Sequence, residues 1–333
     1  MNASASLSSL NTPSAVVDVT RMRHNIDRMQ SRMTELGVRF RPHVKTTKCL
    51  EVARAQVDAG ASGITVSTLK EAEQFFAAGF HDILYAVGIV PGKLAQALAL
   101  RKAGCDLKLI TDNADIAAAI GRFGQEQQHR FEVWLEIDTD GHRSGIAPES
   151  DDLLATAHAV VEGGSTLGGV MTHAGSSYEL HTPEALQAMA EQERAGCVRA
   201  AERLGAAGYA CPVVSVGSTP TALSARALPG VTEVRAGVYV FFDLVMANVG
   251  VCAPQDIALS VLTTVIGHQP EKGWAIVDAG WMAMSRDRGT QRQPHDYGYG
   301  QVCDASGEVV DGYVLSGANQ EHGIVSLASG IDH

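Results

Sequence analysis

Between residues 39 and 240, short β-rich runs alternate with helical runs, and few folds accommodate that rhythm. A strand that begins at Arg39 is followed by β runs at 64–67, 82–87, 107–111, 131–138, 167–173, 212–216 and 233–240. Helical runs at 51–58, 69–78, 93–102, 114–123, 151–162 and 183–204 separate most of them, with glycine and aspartate in the turns. Alternation of this kind demands parallel strands with helices packed outside them. Eight β units then close into a (β/α)8 TIM barrel. An open doubly wound sheet is the alternative. It lacks its usual phosphate signatures here, since no G-x-G-x-x-G follows a strand and no Walker lysine loop occurs.

The flanks differ from the middle. A brief strand over 12–18 precedes a helix marked by Met22, Ile26, Met29, Met33 and Leu36 and ended by Gly37. After about Ala253 the helices stop, and strand-like runs at 258–268, 274–278, 299–303, 313–315 and 324–327 follow one another directly. The expected organisation is a barrel over 12–245 with an appended C-terminal β domain over 254–333.

Composition excludes several functions. A net charge of −11 and a pI near 5.5 argue against a nucleic-acid surface. The N-terminus has neither the basic nor the apolar region of a signal peptide, and the most apolar run, 237–253, is broken by Asp243 and Asn248. Six scattered cysteines without a C-x-x-C suit reduced thiols in a cytoplasmic protein. A small charged metabolite remains as the expected partner, with no nucleic acid and no membrane.

Barrel active sites form where the strands end, and the unusual residues of this chain collect there. In Arg41-Pro-His-Val-Lys-Thr46, period-two alternation would aim Arg41, His43 and Lys45 to one face. Cations crowded together need an anion among them, and a lysine so placed has its pKa lowered toward a nucleophilic amine. A solvated basic strand end is the plainer alternative. Gly217, Ser218 and Thr219 after the seventh strand, with Gly237 after the eighth, could bring backbone close to a phosphate. Arg235 lies inside an apolar strand, where it requires a partner such as a ring nitrogen or a carboxylate. Arg143 reads as a surface salt-bridge residue on its own, His173 as a satisfied core histidine, and Tyr178 as a loop anchor. No H-E-x-x-H and no G-x-S-x-G occurs.

A Schiff-base lysine at one strand end and a phosphate cradle at others describe a pyridoxal phosphate (PLP) site. The chain resembles the fold-type III PLP enzymes of the D-serine dehydratase and D-threonine aldolase group. The likeness rests on the Arg41 motif, on Gly63-Ile-Thr-Val-Ser-Thr-Leu-Lys-Glu-Ala-Glu73 and on Glu136-Ile-Asp-Thr-Asp-Gly-His-Arg-Ser-Gly145. It rests equally on Thr172-His-Ala-Gly-Ser-Ser-Tyr178, Gly217-Ser-Thr-Pro-Thr221, Glu233-Val-Arg-Ala-Gly-Val-Tyr239 and Asn319-Gln-Glu-His-Gly323. It implies an alanine-racemase-like barrel in which Lys45 holds the cofactor and takes the α-proton. Arg143 would lie near the phenolic oxygen, and Arg235 near the pyridine nitrogen with His173 behind it. Tyr178, Gly217, Ser218, Thr219, Gly237 and Tyr239 would hold the phosphate.

The resemblance further implies a homodimer and a dehydratase that turns D-threo-3-hydroxyaspartate into oxaloacetate and ammonia, with D-serine as a second substrate. A D-threonine or 3-hydroxyaspartate aldolase and a non-catalytic PLP-binding barrel are the alternatives. It also implies a divalent metal (Mn, Co, Zn or Mg) held by a histidine and a cysteine near the end of the β domain. No such motif is found here: after His322 only His333 remains, and the last cysteine is Cys303. The metal ligands are therefore unknown, and the β domain is expected to be incomplete.

Overall fold

The computed structural model describes residues 7–327. The elements run in chain order as β1 (Ser14–Val17), α1 (Val19–Glu35), β2 (Arg39–Pro42), α2 (Leu50–Asp58), β3 (Ile64–Val66), α3 (Leu69–Ala77) and β4 (Asp82–Gly88). Next come α4 (Leu94–Lys102), β5 (Asp106–Thr111), α5 (Ala114–Glu126), β6 (Glu132–Ile137), α6 (Asp152–Glu162), β7 (Thr166–Thr172) and α7 (Pro183–Ala206). The barrel strands end with β8 (Val213–Val216), α8 (Thr219–Ser224) and β9 (Glu233–Ala236). Beyond them lie α9 (Leu244–Val249), β10 (Leu259–Leu262), β11 (Val265–Gln269), β12 (Trp274–Val277), α10 (Trp281–Met284), β13 (Gln301–Cys303), β14 (Val309–Ala318) and β15 (Gly323–Leu327).

The chain divides into two compact units, one spanning Arg23–Val240 and the other taking the described residues up to Met22 and from Phe241 onward. In the first unit eight parallel strands run in the order β2-β9-β8-β7-β6-β5-β4-β3. A parallel bridge between His43 and Thr65 joins the two ends of that order, so the sheet is a nearly closed barrel. The expected (β/α)8 TIM barrel is what forms. Its strands are buried on both faces, as strands covered by helices must be. Leu84, Ile110, Trp134 and Met171, from four consecutive strands, make one buried cluster. The helix preceding the barrel buries Met22, Ile26, Met29 and Met33, the alternating four- and three-residue spacing read from the sequence.

The second unit pairs β1 with β10 antiparallel and carries a five-stranded antiparallel sheet, β11-β12-β15-β14-β13. The predicted single strand over 258–268 is in fact two. Asp278 divides them, accepting from the Thr263 hydroxyl at 2.7 Å, the Thr264 N–H at 2.9 Å and the Thr12 hydroxyl at 2.6 Å. The expectation of strands without helices also needs correction. A turn of helix, α10, follows β12, and its first N–H groups donate to the carbonyls of Asn319 and Gln320 at 2.8 and 3.1 Å. His322 is exposed beside that cap. No helix among the described residues is long and apolar enough to cross a membrane. The expected boundary at His333 lies outside the described residues.

Candidate active site

β2 stops at Pro42, which lacks the N–H that a strand would need to continue. The chain then winds into a 3-10 turn, Val44–Thr46, anchored by buried Val44 and capped by the His43 ring, whose Nδ1 accepts from the Lys45 N–H at 3.4 Å. The turn ends the strand alternation, so Arg41, His43 and Lys45 do not share a face. Arg41 lies inside the barrel, its Nε donating to Glu233 at 2.9 Å and its two Nη atoms to Asp82 at 2.8 and 2.9 Å. Lys45 is exposed at the strand end.

Lys45 is nevertheless crowded by cations. Partial desolvation of the amine lowers its pKa, and Arg143 and Arg235 lower it further. Arg143 sits in the loop after β6, which Asp138 shapes by accepting from the N–H groups of Asp140 and Gly141 at 3.2 and 2.7 Å. Its side chain is 60% exposed and its guanidinium stands 3.9 Å from Glu136. At that separation and exposure it is no strong ion pair, which leaves Arg143 available to a ligand.

Two histidines join this cluster. His173, at the end of β7, places Nδ1 3.1 Å from the Gly217 carbonyl. Burial, aided by Arg235, Lys45 and Arg143, lowers its pKa to about 4, against the pull of that carbonyl. His43 is pushed well below the usual imidazole range by burial and then by Lys45, Arg235 and His173. Both rings are thus neutral near pH 7. Because His43 Nδ1 accepts from Lys45, its proton sits on Nε2, 3.4 Å from the Ser67 hydroxyl.

Arg235 on β9 is almost fully buried and hydrogen-bonds neutral acceptors: Nη1 donates to Ser215 Oγ at 2.8 Å and Nη2 to the Thr172 carbonyl. Among the described residues no carboxylate comes within 4.0 Å of Arg235 or of Lys45. Burial lowers the pKa of Arg235, and Glu233 and Glu193 oppose that from a distance.

The loops after β7 and β8 are tied together. Ser177 Oγ meets Ser218 Oγ at 2.8 Å, and Ser218 caps α8 in a capping box with Thr221. Thr219 Oγ1 accepts from the Tyr239 N–H at 3.2 Å. Gly217 has φ +129°, and a Cβ there would collide with the Arg235 carbonyl, so only glycine lets the loop cross β9 this closely. At Gly237 a Cβ would lie 2.8 Å from Thr46 Oγ1 and 3.0 Å from the His43 carbonyl, so glycine admits the Lys45 turn. The Tyr178 ring lies 6.2 Å from that of His173. Tyr239 points elsewhere: its hydroxyl is buried 2.7 Å from Gln56 Nε2. The predicted residues thus gather at one end of the barrel, with the Tyr239 side chain turned into the packing.

One partner of this site is missing from the sequence reading. Glu193, buried on α7, accepts from the N–H groups of Ala174 and Gly217 at 2.9 and 3.1 Å, clamping the loops after β7 and β8. It lies in a charged run, Glu191-Gln-Glu-Arg194, that looks solvated. The available signal is its register, since Leu186, Ala190, Glu193, Cys197, Ala200 and Leu204 are the buried residues of the helix, spaced four and three apart.

The Cys, His, Asp and Glu side chains of the described residues form no group of three or more placed to hold a metal ion.

The family described as alanine racemase, N-terminal domain, matches residues 17–245, and a putative serine dehydratase domain matches 258–332. A D-threo-3-hydroxyaspartate dehydratase of Delftia is 70% identical over 325 residues, covering 97% of this chain and 86% of the relative. Its solved structure superposes with a TM-score of 0.97 over 98% of this chain and 86% of that one, at 69% identity. A D-serine dehydratase of Dictyostelium discoideum is 33% identical over 85% of this chain and 76% of its own length. A D-threonine aldolase of Arthrobacter is 29% identical over 97% of this chain and 82% of its own. A further solved structure, 69% identical, is a cysteine-to-alanine variant of a D-threo-3-hydroxyaspartate dehydratase in a metal-free form. With its barrel matched from residue 17 to residue 245, the chain belongs to the alanine racemase N-terminal-domain family, in the form that carries a serine dehydratase-type C-terminal domain.

Proposed function

We propose that this chain is a PLP-dependent lyase that dehydrates D-threo-3-hydroxyaspartate, with D-serine as a second substrate. The observation that carries the reading is 70% identity, over almost the whole chain, to a dehydratase of that name. Loss of the α-hydrogen and the 3-hydroxyl as water leaves an enamine, which hydrolyses to oxaloacetate and ammonia. The proposed enzyme is a cytoplasmic homodimer, with the barrel unit Arg23–Val240 as its PLP domain and 254–333 within its β domain. The stretch 12–22, expected in the barrel, falls in the second unit, where β1 pairs with β10.

The residues at the strand ends fit PLP. An amine with lowered pKa, two arginines without a close-packed carboxylate and two neutral imidazoles form a cationic cluster that suits an anionic ligand. PLP brings a phosphate and an aldehyde, and when bound it withdraws electrons from the substrate's α-carbon. Lys45 would hold it and move the α-proton. Arg143 would meet the phenolic oxygen. Arg235 would offer the ring nitrogen a hydrogen bond while keeping its own proton, with neutral His173 behind it. Tyr178, Gly217, Ser218, Thr219 and Gly237 would hold the phosphate, and Tyr239 would contribute its backbone to the same cradle.

A divalent metal is the further group the resemblance implies. The described residues hold no group of three or more Cys, His, Asp or Glu side chains placed for one, and no residue is assigned to it.

The experiment is product analysis of the purified chain with D-threo-3-hydroxyaspartate, with and without manganese. Oxaloacetate and ammonia are the expected products, and Lys45→Ala should abolish them. Glyoxylate and glycine would instead mark an aldolase. Turnover retained without Lys45 would sink the proposal.

A further inference from the structure

The hydrogen bonds behind Arg235 have only one possible direction. Arginine carries donors and no acceptor, so the Ser215 hydroxyl must accept from Arg235 Nη1 at 2.8 Å. Its single proton is then left for the other neighbour, Glu233 Oε1, also at 2.8 Å. The second Glu233 oxygen accepts from Arg41 Nε at 2.9 Å, and Asp82 grips both Nη atoms of Arg41 from the far side. Ser215 and Glu233 are fully buried, Arg41 is 2% exposed and Arg235 4%, so water does not compete along this path. Donor inventory alone therefore sets a relay: Arg235 to Ser215 to Glu233, with Glu233 anchored as a carboxylate by Arg41.

The relay leaves Arg235 in an unusual position. Two of its five N–H groups are engaged by Ser215 and the Thr172 carbonyl, and the rest have no partner among the described residues. A carboxylate in direct contact would neutralise the guanidinium and pull it back into the barrel. A serine interposed between them holds the guanidinium in place without neutralising it.

We propose that Ser215 and Glu233 are positioning residues for Arg235: the Ser215 hydroxyl, oriented by Glu233, fixes the guanidinium that the cofactor ring meets. This inference rests on the PLP reading given above. Removing the hydroxyl cuts the link between Arg235 and Glu233 and leaves Nη1 without its acceptor, which changes both how tightly the cofactor is held and how its ring titrates.

The test compares the wild-type protein, Ser215→Ala, Glu233→Gln and the double variant, each loaded with PLP. PLP dissociation is measured, together with the pH at which the visible absorption of the bound cofactor changes. Ser215→Ala should weaken PLP binding about tenfold, the loss of one hydrogen bond to a charged group. It should also move the absorption midpoint by about one pH unit. Glu233→Gln should move that midpoint in the wild-type background and add nothing once Ser215 is gone. A merely structural role would not produce that non-additivity. A midpoint and affinity unchanged in Ser215→Ala would overturn the proposal, even if Glu233→Gln failed to fold. An equal effect of Glu233→Gln in both backgrounds would overturn it as well. Wild-type protein that takes up no PLP would overturn this proposal and the PLP reading together, whereas the other two outcomes overturn this one alone.

Discussion

Arg41 and Arg235 are register partners on the neighbouring parallel strands β2 and β9, and only Arg41 is neutralised. Glu233 and Asp82 raise the pKa of Arg41 against the effect of burial, whereas burial lowers that of Arg235. The two therefore differ in what their loss would do. Arg41→Met leaves Glu233 and Asp82 without their guanidinium and should cost about 3–5 kcal/mol of unfolding free energy. Arg235→Met strands no contacting carboxylate and should cost clearly less, while weakening PLP binding. Urea unfolding of the cofactor-free variants checks the first statement and PLP titration the second. Equal destabilisation would mean that Arg235 is a structural cation after all.

The neutral histidines make the barrel acid-sensitive. His173 titrates near pH 4 when folded, below the ~6.5 of an unfolded imidazole. As pH falls, the unfolded chain takes the proton first. The stabilisation is complete above about pH 6.5 and is lost progressively down to about pH 4, amounting to at most about 3 kcal/mol. His43 acts in the same direction. Urea midpoints measured from neutral pH downward should fall, and His173→Gln should flatten part of that slope. An unchanged slope would mean that His173 is hydrated in the folded barrel.

Much of this site was legible because its residues lie at strand ends, and strand ends follow from the alternation. Lys45, Arg143, His173 and Arg235 all come together as the barrel predicts. The orientation of side chains was less legible. Arg41 looks like a third site cation, since period-two reasoning cannot see that the strand stops at Pro42 or that Glu233 and Asp82 wait inside the barrel. Glu193 hides because a charged run on a helix reads as solvated unless its heptad position is counted. In the second unit, Asp278 splits one apolar run into two strands through hydrogen bonds from residues far apart in sequence, which no local pattern encodes.

Tyr239 offers a separate test. Its hydroxyl meets Gln56 Nε2, and Gln56 Oε1 has no hydrogen-bond partner among the described residues. Tyr239→Phe would leave the whole Gln56 amide buried and unpaired, at a cost of about 1–3 kcal/mol. PLP affinity should stay within about twofold, because the backbone N–H on Thr219 is retained. Thermal unfolding and PLP titration of the same preparation separate the two effects. A large loss of affinity with unchanged stability would put the hydroxyl on the phosphate.

Arg143 should control how readily Lys45 reacts. Under the proposed PLP reading only the neutral amine attacks the aldehyde, so the rate of PLP attachment should follow the fraction of Lys45 that is deprotonated. Burial lowers that amine's pKa first, and Arg143 is the next cause, ahead of Arg235. Replacing Arg143 with glutamine removes a nearby positive charge, so the amine's pKa rises and less of it is neutral at a given pH. The pH profile of PLP attachment should therefore shift to higher pH in Arg143→Gln, with the plateau rate at alkaline pH largely kept. Lys45 remains partly solvated, so salt should narrow the gap between the two profiles. Stopped-flow absorbance across pH at low and high salt measures both effects. Coincident profiles would show that Arg143 is too far from the amine, or too mobile, to tune it.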